Sequence, residues 1–278
     1  APTMAPTEAP TEAPTEEPTE APTTEPPTEA PTEPPVYTNP LTGEKLDAPM
    51  DSRSFAVTIN NVPKAMPMYG VSKADLFFEM YVNDYCTRGL ALFSDVTKVA
   101  AIGSVRSLRY NFTDLCQIYD AVVVHASGSN QVLSDLRKSG VPNVSVEMEG
   151  SGYYFRDQNR VNAGYDWEHC LFVKGPNVKP YAESQGVQVS GMPETDYGLT
   201  FVEDGTPVNG EVADSINITI TYKSYKKDTT MIYDAKLGKY TYNQYGKLMQ
   251  DQITGETEAF ENVVVMFANI TVNNIYQV

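Results

Sequence analysis

Between residues 55 and 148 the spacing of apolar positions switches back and forth between the two-residue repeat of a strand and the 3.6-residue repeat of a helix. Phe55-Ala-Val-Thr-Ile59 predicts a strand. Residues 74–82 predict another, with Leu76, Phe78, Met80 and Val82 on one face and Phe77, Glu79 and Tyr81 on the other. Residues 90–93 form a short buried run, and Leu108, Phe112, Leu115 and Ile118 then recur at helical spacing. Residues 121–125 read as a buried strand. Ser127-Gly-Ser-Asn130 leads into a helix over Val132, Leu133 and Leu136, which Gly140 is placed to cap. Val144, Val146 and Met148 give the next strand. Strand, helix and strand in so short a span make a βαβ unit, which requires parallel pairing.

Past residue 186 the pattern changes. Residues 199–202, 216–222, 229–233, 240–242 and 263–268 read as short strands between turn signals such as Glu203-Asp-Gly205, Leu237-Gly238 and Tyr245-Gly246. No helix is expected there. The fold class expected is therefore α+β: an N-terminal α/β domain with a mixed sheet (residues 40–186), then a β-rich C-terminal domain (residues 187–278). The last strands of that domain are expected to be cut off at Val278.

Composition sets residues 1–39 apart. The first 35 repeat Ala, Pro, Thr and Glu almost in fours, with eight Glu, eleven of the twenty prolines and no Lys or Arg. They carry half of the formal net charge of −16. Such a stretch has nothing to bury, and its prolines favour an extended spacer of about 3.1 Å per residue, on the order of 100 Å in reach. The remainder is mildly acidic, which argues against nucleic acid or an anionic membrane surface as partner. No apolar run approaches the roughly 18 residues that span a bilayer. The chain starts inside the repeat, as expected if a signal segment has been removed or the chain is a fragment. Cys86, Cys116 and Cys170 show no C-x-x-C spacing, leaving open one bridge with a free thiol or three buried thiols. No cofactor is expected. With only two histidines, 44 positions apart, no metal site is expected either.

Chemistry-bearing residues gather in the first domain. Arg106 and Arg109, three apart, would share a face at the start of a helix, where two guanidiniums and the positive dipole end suit a carboxylate or phosphate. The alternative is that they pair with acids of the same body. His125 ends a strand ahead of Ser127, Gly128 and Ser129, the place where α/β folds bind ligands, but no Walker or G-x-G-x-x-G pattern is present. A histidine bonded within the sheet edge is the other reading. His169 lies in Trp167-Glu-His-Cys170. Glu79 is a carboxylate in an apolar strand, expected either to pair with an arginine or to line a cleft. Arg156, with Asp157 and Arg160, adds a polar knot.

Taken in order, these segments are familiar. Pro40-Leu-Thr-Gly43, Arg53-Ser-Phe-Ala-Val-Thr-Ile-Asn-Asn61, Gly70-Val-Ser-Lys-Ala-Asp75, Glu79, Thr87-Arg88, Ala91-Leu-Phe93, Gly103-Ser-Val-Arg-Ser107 and Arg109 follow one another. Tyr119-Asp-Ala121, His125, Gly128-Ser129, Phe155-Arg-Asp157, Arg160 and Glu168-His169 continue the series. The chain resembles the YerB-like lipoprotein family, domain of unknown function 3048, over residues 40–278, most specifically from Arg53 to Arg109. The resemblance implies a bacterial protein exported through a lipobox cysteine and lipid-anchored outside the cytoplasmic membrane, with an N-terminal and a separate C-terminal domain. It implies no established reaction, and the lipobox itself is absent.

Two functional classes follow. The first is a tethered binding protein whose cleft of Arg106, Arg109, His125, Ser127, Ser129 and Glu79 takes an anionic small molecule or cell-envelope component. Arg156 and His169 are further candidates for that cleft. The second is a cell-envelope hydrolase or transferase with His125 or His169 as general base. The binder is preferred, since no G-x-S-x-G elbow marks a nucleophile.

Overall fold

β-Branched and aromatic residues dominate the segments that became strands, and the longest fully buried one organises the rest. In the computed structural model, which describes residues 36–83, 86–146, 152–191, 196–202, 205, 209–222 and 224–268, a small hairpin comes first, β1 (Tyr37–Thr38) with β2 (Lys45–Leu46). Every residue of β3 (Phe55–Asn61) is buried. It lies between β5 (Cys86–Phe93), antiparallel to it and reached through β4 (Leu76–Asn83), and the parallel strand β7 (Val122–His125). A short strand β6 (Ile102–Gly103) and helix α1 (Tyr110–Ile118) lie between β5 and β7. From β7 the chain passes through helix α2 (Asn130–Ser139) to β8 (Asn143–Ser145), again parallel to β7. This is the expected βαβ unit, and the sheet order is β4-β5-β3-β7-β8.

Helix α2 has the ends its sequence predicts. Ser129 Oγ accepts from the Val132 N–H, and Gly140 takes the left-handed conformation (φ 73°) that ends the helix without a Cβ clash. Two helices were not legible: α3 (Gln158–Asn162), capped by the Asp157 side chain, and α4 (Gly175–Ser184). They follow β9 (Tyr154–Arg156) and β10 (Leu171–Val173), which join β6 in a three-stranded sheet. Prolines 176 and 180 hid α4. Pro176 is tolerated near its start, whereas Pro180 lies inside the helix and forgoes the hydrogen bond to the carbonyl four residues back.

The C-terminal part is the β-rich, antiparallel region expected. β11 (Ser215–Tyr222), β12 (Tyr225–Asp234), β13 (Lys239–Gln244) and β14 (Lys247–Leu248) pair in sequence order, and β15 (Ala259–Phe260) adds to β13. Tyr245 (φ 54°) and Gly246 (φ 71°) make the tight turn between β13 and β14 that their dipeptide signals. Residues 199–202 and 263–268 are not strands. Their apolar positions have no ladder partner among the described residues, and Val264, Met266 and Phe267 stand exposed. The repeat of residues 1–35, Met148, Glu203-Asp204 of one predicted turn and the C-terminal stretch from residue 269 lie outside the described residues.

An apolar core lies on each face of the five-stranded sheet. Ala56, Leu90, Leu92 and Val123 meet Phe112 of α1 and Val132 and Leu136 of α2 on one side. Phe55, Val57, Ile59, Ala91 and Phe93 meet Val178 of α4 and Met231 and Tyr242 of the C-terminal sheet on the other. The three thiols are unbridged; Cys116 and Cys170 are buried and Cys86 is half-buried.

Candidate functional site

The edge of β3 changes partner halfway along. Residues 55–57 pair with β7, but at Thr58 the segment 104–106 takes over, antiparallel: Asn60 N–H donates to Ser104 O (2.8 Å), Arg106 N–H donates to Thr58 O (3.1 Å), and Ile59 faces Val105. β7 and this segment part at that point. The gap is stitched by Ala126 N–H donating to Arg106 O (3.0 Å) and Leu108 N–H donating to Ser127 O (2.9 Å). A divergence at the carboxyl ends of strands is where open α/β sheets form binding crevices.

This wiring corrects the helix expected at Arg106. With its backbone committed to β3, the segment 104–106 is extended. Helix α1 begins only at Tyr110, with Arg109 as an N-cap in extended conformation (φ −134°, ψ 157°). The arginines do not share a helical face; both precede the helix, Arg106 in the extended segment and Arg109 at the N-cap. Helix α1 leads back into β7 and α2 leaves it, so the N-termini of both lie at the carboxyl end of β7 and place positive dipole ends there.

Alternation along the strands decides which side chains meet. Met80 is opposite Arg88, and Glu79 is opposite Gly89, so Glu79 shares the Thr87 face and Arg88 lies on the other. By the same registers Thr58, Asn60, Ser104, Arg106 and His125 belong to the Arg88 face. The structure thus brings Arg106, Arg109, His125 and Ser127 to one end of one face, and puts Glu79 on the opposite face.

There Glu79 is enclosed. Its carboxylate receives hydrogen bonds from Thr87 Oγ1 (2.6 Å) and Tyr242 Oη (2.8 Å) and pairs with the Lys227 ammonium, whose side chain is 1% exposed. The partner is a lysine brought by the C-terminal sheet and not the arginine expected. Sequence spacing within one domain gives no sight of a strand nearly 150 residues away.

The residue that sequence reasoning missed is Arg88. It is 3% exposed, and Nη1 donates to Ser107 O (2.5 Å). Burial first, then Arg109 and Arg106 beside it, push its guanidinium down to about 9, still charged at neutral pH. Among the described residues it has no carboxylate partner. Arg106 pairs with Glu168 (3.3 Å), and burial also lowers Arg109. Ser104 Oγ, fully buried, has no hydrogen-bond partner among the described residues. A charge inside the apolar strand Cys86-Thr-Arg-Gly-Leu-Ala-Leu-Phe93 was the signal for Arg88, the same signal that singled out Glu79.

The remaining candidates divide. His125 is buried, and its Nδ1 lies 2.9 Å from Ser127 O, an acceptor, which places a proton on Nδ1. Ser127 has φ 63°, and the Ser129 hydroxyl caps α2. His169 lies 2.7 Å from the Asn60 side-chain nitrogen, and burial holds its imidazole below the usual range, against the pull of Glu168. Arg156 stacks on Trp167 (4.0 Å) and donates to its carbonyl, one residue from Glu168. A cavity of about 580 Å³ opens at the other end of the sheet, beside Phe55, Phe93 and Lys179, and none of the candidate residues lines it.

Comparison with known proteins reaches most of the chain. A crystal structure of the YerB protein from Bacillus subtilis superposes with a TM-score of 0.64 at 24% identity, over 80% of this chain and 71% of that one, a likeness of fold. The B. subtilis (strain 168) protein named "Putative lipoprotein YerB" is 28% identical over 235 residues, 83% of this chain and 67% of that protein. The family described as "Protein of unknown function (DUF3048) N-terminal domain" matches residues 41–188, which include both faces of the sheet and every arginine of the site. That match covers more than half of the chain, and the protein belongs to the DUF3048 family.

Proposed function

We propose that this protein binds an anionic ligand at the carboxyl ends of β3 and β7, with Arg106 and Arg109 as the accessible donors and Arg88 as the charged floor. One observation carries the reading: Arg88 is buried beside two other arginines and makes no ion pair of its own among the described residues, the Glu168 carboxylate being paired with Arg106 and pulling on Arg88 only weakly. A buried charge left unpaired costs several kcal/mol, on the order of 3–5 when a partner is removed, so an anion that enters recovers a large stabilisation. The two helix N-termini and the divergence of β7 from segment 104–106 favour the same place.

In this reading the protein acts outside the cytoplasmic membrane as a lipoprotein-like binder of a small molecule or envelope component. The name carried by the B. subtilis relative supports the setting, and the Pro/Thr/Glu repeat supports a spacer that holds the binding domain away from an anchor. The test is a titration of the full chain with inorganic phosphate at fixed ionic strength, followed by calorimetry and thermal unfolding. Saturable heat and a rising Tm are expected in the parent chain, and Arg106→Gln should lose both. An equal Tm rise in Arg106→Gln would assign the effect to salt exclusion and reject the site.

A further inference from the structure

We infer that the group seated here is a doubly charged phosphoryl group, and that Glu168 is an internal placeholder that the ligand displaces from Arg106. The inference rests on the anion-site reading above and adds to it a ligand class and a competitor.

Glu168 sits in a short 3-10 turn, Trp167–His169, with its side chain 56% exposed. Its carboxylate stands at ion-pair distance from Arg106 Nη1 (3.3 Å) and at 4.0 Å from His169 Nε2, and among the described residues it accepts no hydrogen bond. Glu79, on the other face, shows what a permanent partner looks like: two hydroxyl donors and a buried ammonium. By that standard Glu168 is lightly held. The exposed part of an arginine ion pair is also the part that water and salt loosen most readily.

Charge selects the ligand class. Once Glu168 leaves, the Arg106 guanidinium is unmatched, and Arg88 below it makes no ion pair of its own among the described residues. Arg106 and Arg88, with Arg109 beside them, then present more than one positive charge to a ligand. A carboxylate would neutralise one of them, whereas a phosphate monoester carries nearly two negative charges at neutral pH and offers three acceptor oxygens to forked guanidinium donors. The start of α1, beginning at Tyr110 behind the Arg109 N-cap, adds backbone N–H donors suited to the same oxygens.

The experiment titrates the full chain and its Glu168→Gln and Arg106→Gln variants with phosphate, sulfate and acetate at pH 7.5 and matched ionic strength. Phosphate and sulfate should bind at least about fivefold more tightly than acetate, and Glu168→Gln should tighten phosphate by about fivefold, the worth of one partly exposed ion pair. Acetate binding as well as phosphate would overturn the ligand class. Phosphate affinity unchanged in Glu168→Gln would overturn the placeholder. The underlying site falls by a different result: no anion bound by any of the chains, or binding that survives Arg106→Gln. Two further probes assign the source. Binding of free glycerol 3-phosphate without retention on phosphatidylcholine vesicles doped with phosphatidic acid points to a soluble phosphate monoester. Retention on those vesicles, lost in Arg106→Gln, points to a lipid headgroup.

Discussion

The two faces of the five-stranded sheet each bury charge, and they treat it differently. On the face toward the C-terminal sheet, Glu79 and Lys227 form a closed pair, with Thr87 and Tyr242 filling the remaining hydrogen-bond positions of the carboxylate. On the face toward α1 and α2, Arg88 is equally buried, with two more arginines beside it and no ion pair of its own among the described residues. The first arrangement joins two parts of the molecule. The second, in the proposed function, takes its counter-charge from outside as an anion.

Another buried titratable group sharpens the contrast. Glu258 is fully buried on the C-terminal side, and neither carboxylate oxygen has a hydrogen-bond partner among the described residues. Burial, helped by Asp251, pushes its carboxyl up to about 8, so at neutral pH it holds a proton and carries no charge. An unmatched carboxyl can escape its problem by taking up a proton. A guanidinium cannot: even lowered to about 9, Arg88 stays charged at neutral pH. An unmatched arginine therefore calls for an anion where an unmatched glutamate does not.

The largest expected effect tests this difference through pH. Because Glu258 binds its proton more tightly folded than unfolded, its contribution is full below about 4.5 and declines as pH rises, until it is lost past about 8. The loss should total about 4–5 kcal/mol at roughly 1.4 kcal/mol per pH unit. Chemical denaturation across pH 5–9 should show the slope, and Glu258→Gln should flatten it. Next, Glu79→Ala leaves the Lys227 ammonium buried and alone, and should cost about 3–5 kcal/mol in urea unfolding. Arg88→Met should stabilise the unliganded protein, by about 1–4 kcal/mol, since a long apolar side chain replaces a buried charge that has no carboxylate to lose. If Arg88→Met proved as damaging as Glu79→Ala, the two faces would be alike and the open face would not be a binding site. The smallest effect expected is that of Glu168→Gln on the unliganded protein, within about 1 kcal/mol, as for a partly exposed ion pair.

Much of the N-terminal fold was legible because its elements are local. Residues 121–145 carry strand period, cap, helix period and terminating glycine in immediate succession, and the structure follows them. Proline obscured α4, and isolated alternation at residues 263–268 imitated a strand for which no ladder partner is described. The candidate site was half legible. Arg106, Arg109 and His125 were visible as motifs near a strand end. The face on which each side chain falls depended on the Met80–Arg88 register, which no single segment contains. That register moved Glu79 out of the site and brought Arg88 in. Lys227 was out of reach for the same reason: its partner lies 148 positions away.

Where an anion sits decides whether the proposed site exists. A crystal of the full chain soaked in tungstate, a heavy dianion, should give an anomalous peak within about 3–4 Å of the Arg106 guanidinium, with the Glu168 side chain turned away. A peak only in the lysine-bearing cavity at the other end of the sheet, or none near Arg106 at saturating tungstate, would contradict it.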